Sequence, residues 1–423
     1  MVLCWRGDSV FKCIGNCAEC GRCFKHITNE RKFQGLSDGI KRNFEKNPIT
    51  SNRDCYGLAL DIGTTTIAAY LYKLPECERV GEICIPNSQI RYGGDVISRI
   101  EHSNAGGLRQ LKDAVWNQIA AIEKHWGQEI DTYVITANTT MLHFLAGLDP
   151  RGIAVAPFTP QSLFGEWREN VYFPRCISSY IGADITTGIL ASNMCNEKTS
   201  FLVDIGTNGE MALWNGEKLT CCSTAAGPAF EGANITNGCP AVSGAINKVY
   251  VENGEAHCTT IDGADPIGVC GTGLIDAVAC MLELGVIDDA GYMDEDFEIG
   301  NSGVHITAQD IRQVQLAKSA VRAGIDTLLE QQNVTYGDIE NFYIAGGFGS
   351  YIDKVSAAKI GLIPTGVLDK VVVVGNAAGA GASMILQSRE CLEEAERIAL
   401  CAEAIELSAN PAFMEKYINN IMF

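Results

Sequence analysis

The chain carries one strand–turn–strand device twice. Residues 58–74 read LALDIGTTTIAAYLYKL and residues 201–214 read FLVDIGTNGEMALW. In each, an apolar run leads into Asp-Ile-Gly-Thr and a second apolar run follows. Short apolar runs bounded by a Gly/Thr turn read as β-hairpins. The two cores, Asp61-Ile62-Gly63-Thr64 and Asp204-Ile205-Gly206-Thr207, lie 143 residues apart (204 − 61). That is the spacing of whole domains, so the chain is expected to fold as two related lobes facing each other across a cleft.

The repeated core has the chemistry of a phosphate site. A glycine at a hairpin turn lets the backbone approach an anion and frees consecutive N–H groups for its oxygens. Threonine hydroxyls add donors. An aspartate at the strand end can hold hydrated Mg²⁺, which screens phosphate charge. A third glycine turn, Gly346-Gly347-Phe348-Gly349, ends an apolar strand. It suits either close approach to an adenosine or helix–sheet packing. No GxxxxGK[ST] loop is present, and no strand opens into a Rossmann fingerprint, which excludes those two nucleotide-binding schemes.

Composition narrows the partners. The 423 residues carry 32 Lys+Arg against 51 Asp+Glu, a net charge of −19. Such a surface repels phosphate backbones and anionic lipid, so neither nucleic acid nor membrane is an expected partner. The uncharged run Val371–Ser388 reads as strand, loop and helix rather than a membrane span. The chain is expected to be soluble and cytoplasmic, with 47% hydrophobic residues to build its core.

Three zones emerge: a Cys-rich segment and linker over 1–50, a middle domain over 51–165 with the first turn, and a C-terminal domain over 166–423. The tract from Lys41 to Asp54 is polar and reads as a linker or a solvated helix and turn. Helices are expected at Leu108–Trp126, Gly182–Cys195 and Thr307–Gln332, with a charged amphipathic helix over Glu390–Leu407. His143, in an apolar setting, reads as a core histidine.

Of 18 cysteines, most sit singly in apolar segments, where cysteine behaves as a small core residue. Five crowd into the first 23 positions: Cys4, Cys13, Cys17, Cys20 and Cys23. The last four have spacing C-x3-C-x2-C-x2-C. Short gaps let several thiolates converge on one centre. An iron–sulfur cluster and structural Zn²⁺ both take such ligands. One compact run favours a [4Fe–4S] cluster over the paired, widely separated knuckles usual for zinc. Cys4 either replaces one of the four or stands by.

Paired D-x-G-T turns with a later A-G-G-x-G resemble the actin/Hsp70/sugar-kinase ATPase superfamily (ASKHA). The segments YGGDVISRI, NTTMLHFLAGLDP, DIGTNGEM, STAAGPAFEGANI, GVCGTGLIDAVA, YIAGGFGSYI and GNAAGAGA more closely resemble the reductive activators of corrinoid proteins. The resemblance spans about residues 57–390. It implies an α/β fold with two actin/Hsp70-like (ribonuclease H-like) lobes around a nucleotide cleft, plus a small N-terminal Fe–S segment. It implies an ATP-dependent enzyme that returns a Co(II) corrinoid protein of a methyltransferase system to Co(I), served by a low-potential electron donor. It also implies a homodimer. Carried over by position, Asp61, Gly63, Thr64, Thr65 and Thr66 match the first phosphate turn. Asp204, Gly206, Thr207, Asn208 and Gly209 match the second. Gly346, Gly347 and Gly349 match the adenosine turn, and Gly227 a glycine loop bordering the nucleotide. Glu231 beside it either touches a ribose or caps a helix.

Residues 1–50 depart from that family, whose members usually carry a plant-type [2Fe–2S] domain with C-x4-C-x2-C spacing. Three other readings compete. One is the ATP-dependent [4Fe–4S] activator of 2-hydroxyacyl-CoA dehydratases. Another is a small-molecule kinase, for which no substrate base stands out. The last is a non-enzymatic sensor, which ATP turnover would separate from the rest.

Overall fold

A computed structural model describes residues 3–6, 9–12, 42–50, 55–74, 76–196, 198–346, 351–408 and 410–423. Strands β1 (Leu3–Arg6) and β2 (Ser9–Lys12) pair antiparallel, with Cys4 opposite Phe11. The chain divides into two compact units. Unit 1 includes Lys41–Ala191 and Ala377–Cys401, and unit 2 includes Ser192–Asn376 and Ala402–Phe423.

Unit 1 is built on β3 (Cys55–Ile62), β4 (Thr66–Leu74), β5 (Glu78–Pro86), β6 (Ile130–Ala137), β7 (Glu166–Arg168) and β8 (Val171–Phe173). Among the described residues they form one sheet in the order β5-β4-β3-β6-β8-β7. β3 and β4 lack polar alternation because both sheet faces are covered. Leu58, Leu60 and Ile62 share one face at the two-residue strand period. They cluster with Leu111, Val115, Ile119 and Ile122 of the helix Leu108–Trp126. On the other face, a side chain at Gly57 would meet Leu386 of the helix Ala377–Gln387 at 2.9 Å.

Two expectations about this unit need correction. The expected boundary at 165/166 falls inside unit 1, because β8 pairs with β6 and β7 with β8. The polar tract read as a linker or a solvated helix and turn is, over its described residues 42–50, neither a helix nor detached from the unit. The Asn47 N–H donates to Gln387 O at 3.0 Å, and the Arg389 N–H donates to Asn47 O at 2.9 Å. Arg42 pairs with Glu394.

Unit 2 is built on β9 (Ser200–Ile205), β10 (Gly209–Trp214) and β11 (Leu219–Thr224), the sheet β12 (Ala245–Glu252), β13 (Glu255–Thr260) and β14 (Gly268–Val269), and the pair β15 (Phe297–Glu298) and β16 (His305–Ile306). β17 (Asn341–Ala345), β18 (Val371–Gly375) and β19 (Glu403–Ile405) complete it. The main sheet runs β18-β17-β9-β10-β11-β19. β9, β10 and β11 are antiparallel neighbours, as are β3, β4 and β5. β17 lies parallel to β9 and β18 parallel to β17, as β6 lies to β3 and β8 to β6. The sequence repeat is thus a repeat of topology.

The helix Ala308–Gln331 is capped by Thr307 and Asp310 in a reciprocal box. The expected helix over Glu390–Leu407 is shorter: it spans Arg389–Cys401, and Glu403–Ile405 leaves it to pair parallel with the edge of β11. Edge pairing satisfies backbone groups that an isolated last turn would leave to water. No helix among the described residues is long and apolar enough to cross a membrane.

Asp276, on the helix Gly271–Glu283, is 4% exposed and accepts the Val249 N–H at 3.3 Å. Burial pushes its carboxyl up to about 6, against the hydrogen bonds from Ser356 and Val249. A raised carboxyl favours the protonated native state, so its contribution to stability is lost as pH rises from the ordinary carboxylate value towards 6. Between pH 5 and pH 7 the wild type is expected to lose about 1 kcal/mol relative to Asp276→Asn. Urea unfolding of both proteins at the two pH values checks this.

Candidate functional site

In unit 1 the first turn joins β3 to β4, with Asp61 and Ile62 opposite Ala68 and Ile67. Gly63, Thr64 and Thr65 form the turn, and Thr66 begins β4. The carbonyls of residues 63, 64 and 65 are all engaged from behind. Asn87 Nδ2 donates to Gly63 O at 2.8 Å, Arg99 Nη2 to Thr64 O at 2.7 Å, and the Asn87 N–H to Thr65 O at 2.8 Å. Among the described residues, the N–H groups of Thr64 and Thr65 have no acceptor. Asn138 caps the helix Thr139–Ala146 through the Met141 N–H at 2.9 Å and donates to Thr64 Oγ1 at 3.4 Å.

In unit 2 the second turn joins β9 to β10, with Asp204 opposite Glu210 and Ile205 opposite Gly209. It is held by its own backbone, Gly206 N–H to Asn208 O at 2.9 Å. Thr207 Oγ1 donates to Glu231 Oε1 at 3.1 Å. Glu231 ends the short 3₁₀ turn Pro228–Glu231, which Gly227 opens at φ +79°. The glycine loop and the second turn therefore meet through one carboxylate.

Gly346 follows β17 at φ +104° and donates its N–H to Gly375 O at 3.1 Å. A Cβ there would stand 2.6 Å from Ile205 O and 2.8 Å from Asp204 Oδ1. The third glycine turn thus begins packed against the Asp204 carboxylate and the Ile205 carbonyl, closer than any side chain would allow. Gly347 and Gly349 lie outside the described residues, as do Cys13, Cys17, Cys20 and Cys23. Gly346→Ala is expected to cost about 1–3 kcal/mol through the left-handed φ and the clash. It should also weaken nucleotide binding by displacing Asp204; a thermal melt and calorimetric titration with Mg-ATP check both.

The first turn can hold an anion on the N–H groups of Thr64 and Thr65. A strand-end carboxylate such as Asp204 is the donor type that Mg²⁺ takes, one or two at a time with water and phosphate oxygens completing the set. Among the described residues no three or more His, Cys, Asp or Glu side chains converge as a ligand set for a metal. His143 is fully buried, with Nδ1 2.7 Å from Thr139 O, and burial lowers its pKa. It is a core residue.

Arg99, Asn87 and Gln89, all fully buried around the first turn, are not singled out by sequence reasoning. YGGDVISRI stands out as a motif, but which of its residues turns inward to Thr64 is set by tertiary packing.

A duplicated β-sheet of this topology, with a Gly/Thr turn after the first strand of each copy, defines the ASKHA class. Residues 198–423 match the family described as the C-terminal domain of RACo, the ASKHA domain, and residues 56–197 match the RACo middle region. The chain belongs to the RACo family. It is 34% identical to the corrinoid activation enzyme RamQ of Eubacterium limosum, over 92% of this chain and 72% of that protein. It is 25% identical to the [Co(II) methylated amine-specific corrinoid protein] reductase of Methanosarcina barkeri, over 87% and 77%. The solved structure of a reductive activator for corrinoid, iron–sulfur protein aligns with a TM-score of 0.79 and 34% identity, covering 88% of this chain and 67% of that one.

Proposed function

We propose that this chain uses ATP to drive an electron onto a Co(II) corrinoid protein of a methyltransferase system, returning it to Co(I). The observation that carries the reading is the union, in one RACo-family chain, of two phosphate-type turns and a four-cysteine run. The relatives' names support a corrinoid partner over a 2-hydroxyacyl-CoA dehydratase.

Reduction of a low-potential acceptor runs uphill, and each ~59 mV of a one-electron gap costs tenfold in equilibrium constant. Nucleotide can offset this only if its bound states favour different conformations of the complex. In this reading Asp204 holds Mg²⁺, and Thr64, Thr65, Thr207 and Asn208 bind phosphate oxygens. Asp61 supplies the second strand-end carboxylate, and Gly346 lets the third glycine turn pack close against Asp204. Phosphoryl transfer needs little beyond such positioning and charge neutralisation. Cys13, Cys17, Cys20 and Cys23 would hold a [4Fe–4S] cluster, with Cys4 as the substitute ligand. When bound, that cluster supplies low-potential one-electron chemistry.

The test is an anaerobic mixture of the chain, Mg-ATP, a low-potential reductant and a Co(II) corrinoid protein. Co(I) should appear in the visible spectrum only with ATP, and phosphate release should rise with the partner. A partner that neither stimulates hydrolysis nor becomes reduced ends the proposal.

A further inference from the structure

Arg99 is 0% exposed, an unusual place for a side chain that cannot shed its charge. It stands on the helix Val96–His102, behind the first turn. Its Nε donates to Gly93 O at 2.9 Å, Nη1 to Gln89 Oε1 at 3.1 Å, and Nη2 to Thr64 O at 2.7 Å. Gly93 itself lies tight against the start of that helix: a Cβ there would meet Ser98 Oγ and stand 2.8 Å from the Arg99 backbone nitrogen. Gln89 is itself fixed: it is fully buried, and its Nε2 donates to Leu111 O at 3.0 Å. The guanidinium is held in one orientation by Gly93 and Gln89, and the Gln89 N–H donates in turn to Asn87 Oδ1 at 3.0 Å, which ties it to the other clamp on the turn.

The consequence for the turn follows from peptide geometry. In a trans peptide the C=O of one residue and the N–H of the next point in opposite directions. Arg99 holds the Thr64 carbonyl inward and so turns the Thr65 N–H outward. Asn87 holds the Gly63 carbonyl at 2.8 Å and so turns the Thr64 N–H outward. These are the two N–H groups that find no acceptor among the described residues. Adjacent outward N–H groups make an anion-binding concavity. The guanidinium adds a full positive charge within hydrogen-bond reach of the same peptide. The second turn is braced instead by its own Gly206 N–H.

We propose that Arg99 is the positioning residue of the first phosphate turn: it fixes the Thr64–Thr65 peptide with its N–H outward and sets a buried positive charge behind the bound polyphosphate. This rests on the reading that the turn binds nucleotide phosphate. Arg99 touches the turn and not the reacting atoms, so its role is in affinity for phosphates rather than for the nucleoside.

The test compares wild type, Arg99→Met and Arg99→Lys as full chains, titrated calorimetrically with Mg-ATP and with adenosine at two salt concentrations. A lost hydrogen bond from a charged donor corresponds to about 10- to 100-fold in binding. Arg99→Met should weaken ATP by about that factor, change adenosine by less than about 3-fold, and flatten the salt dependence of ATP binding. Arg99→Lys keeps the charge but not the planar fork. It should lose about 5- to 10-fold for ATP and retain the salt dependence. Should Arg99→Met fail to fold, Arg99→Lys and Asn87→Ala carry the same comparison of ATP with adenosine. Equal losses for both ligands, or none for ATP, overturn the proposal. Failure of the wild type to bind ATP overturns the nucleotide reading itself.

Discussion

Asp204→Asn is expected to cut corrinoid-stimulated ATP turnover by about 100-fold or more. The substitution keeps the shape of the side chain and removes its charge. That charge sits at the end of β9, where Gly346 passes so close that a Cβ on it would stand 2.8 Å from Oδ1. A neutral amide is a poor ligand for a hard divalent cation, and without the cation the phosphate charge is unscreened. The fold should survive, because β9 keeps its register with β10 and β17 through backbone bonds. Phosphate release measured with and without the partner, across a Mg²⁺ series, tests this. Turnover should fall and recover partly at high Mg²⁺, while the melting temperature stays close to that of the wild type. Wild-type turnover in Asp204→Asn would remove the carboxylate from the mechanism.

The parts of the site legible in the sequence are those written locally. Both Asp-Ile-Gly-Thr turns are hairpins, so strand, turn and strand are contiguous and the pattern is complete within about 17 residues. Gly346 is legible for the same reason, as a glycine closing an apolar run. What joins these pieces is not local. Thr207 meets Glu231 across 24 residues of sequence, and Thr64 meets Arg99 across 35. Neither separation has a periodicity to betray it. The short strands Glu166–Arg168 and Val171–Phe173 are too brief to show a two-residue alternation, which is why the boundary read at 165/166 falls within unit 1. Glu403–Ile405 follows a helix without a glycine or proline to mark the break. Only its partner β11 reveals it as a strand. Asn47 carries no signal either, because its hydrogen bonds run to Gln387 and Arg389. The duplicated topology was foreseeable from the repeat; the devices that brace each turn, a side-chain clamp in one and a backbone bond in the other, were not.

Cys17→Ser combined with Cys20→Ser is expected to abolish Co(II) reduction while leaving Mg-ATP affinity within about 2-fold. The two residues are the middle members of C-x3-C-x2-C-x2-C. A cubane cluster takes four thiolates, and Cys4 can replace only one of them. Serine is close in size but is a poor ligand for a soft iron–sulfide centre, so iron and acid-labile sulfide should fall from about four per chain to near zero. Among the described residues, the groups that brace the phosphate turns, Asn87, Arg99, Asn138 and Glu231, all lie beyond residue 85. Nucleotide binding and electron delivery should therefore separate cleanly in this variant, with ATP still bound and Co(I) formation down by about 100-fold or more. The separation matters because a coupled machine and a simple ATPase differ in just this respect. If the double variant still reduced the corrinoid protein at the wild-type rate, the electron would be reaching cobalt by a route that bypasses these thiolates. If the anaerobically purified wild type held zinc and no iron, the four cysteines would be structural ligands and the uphill electron would need another source.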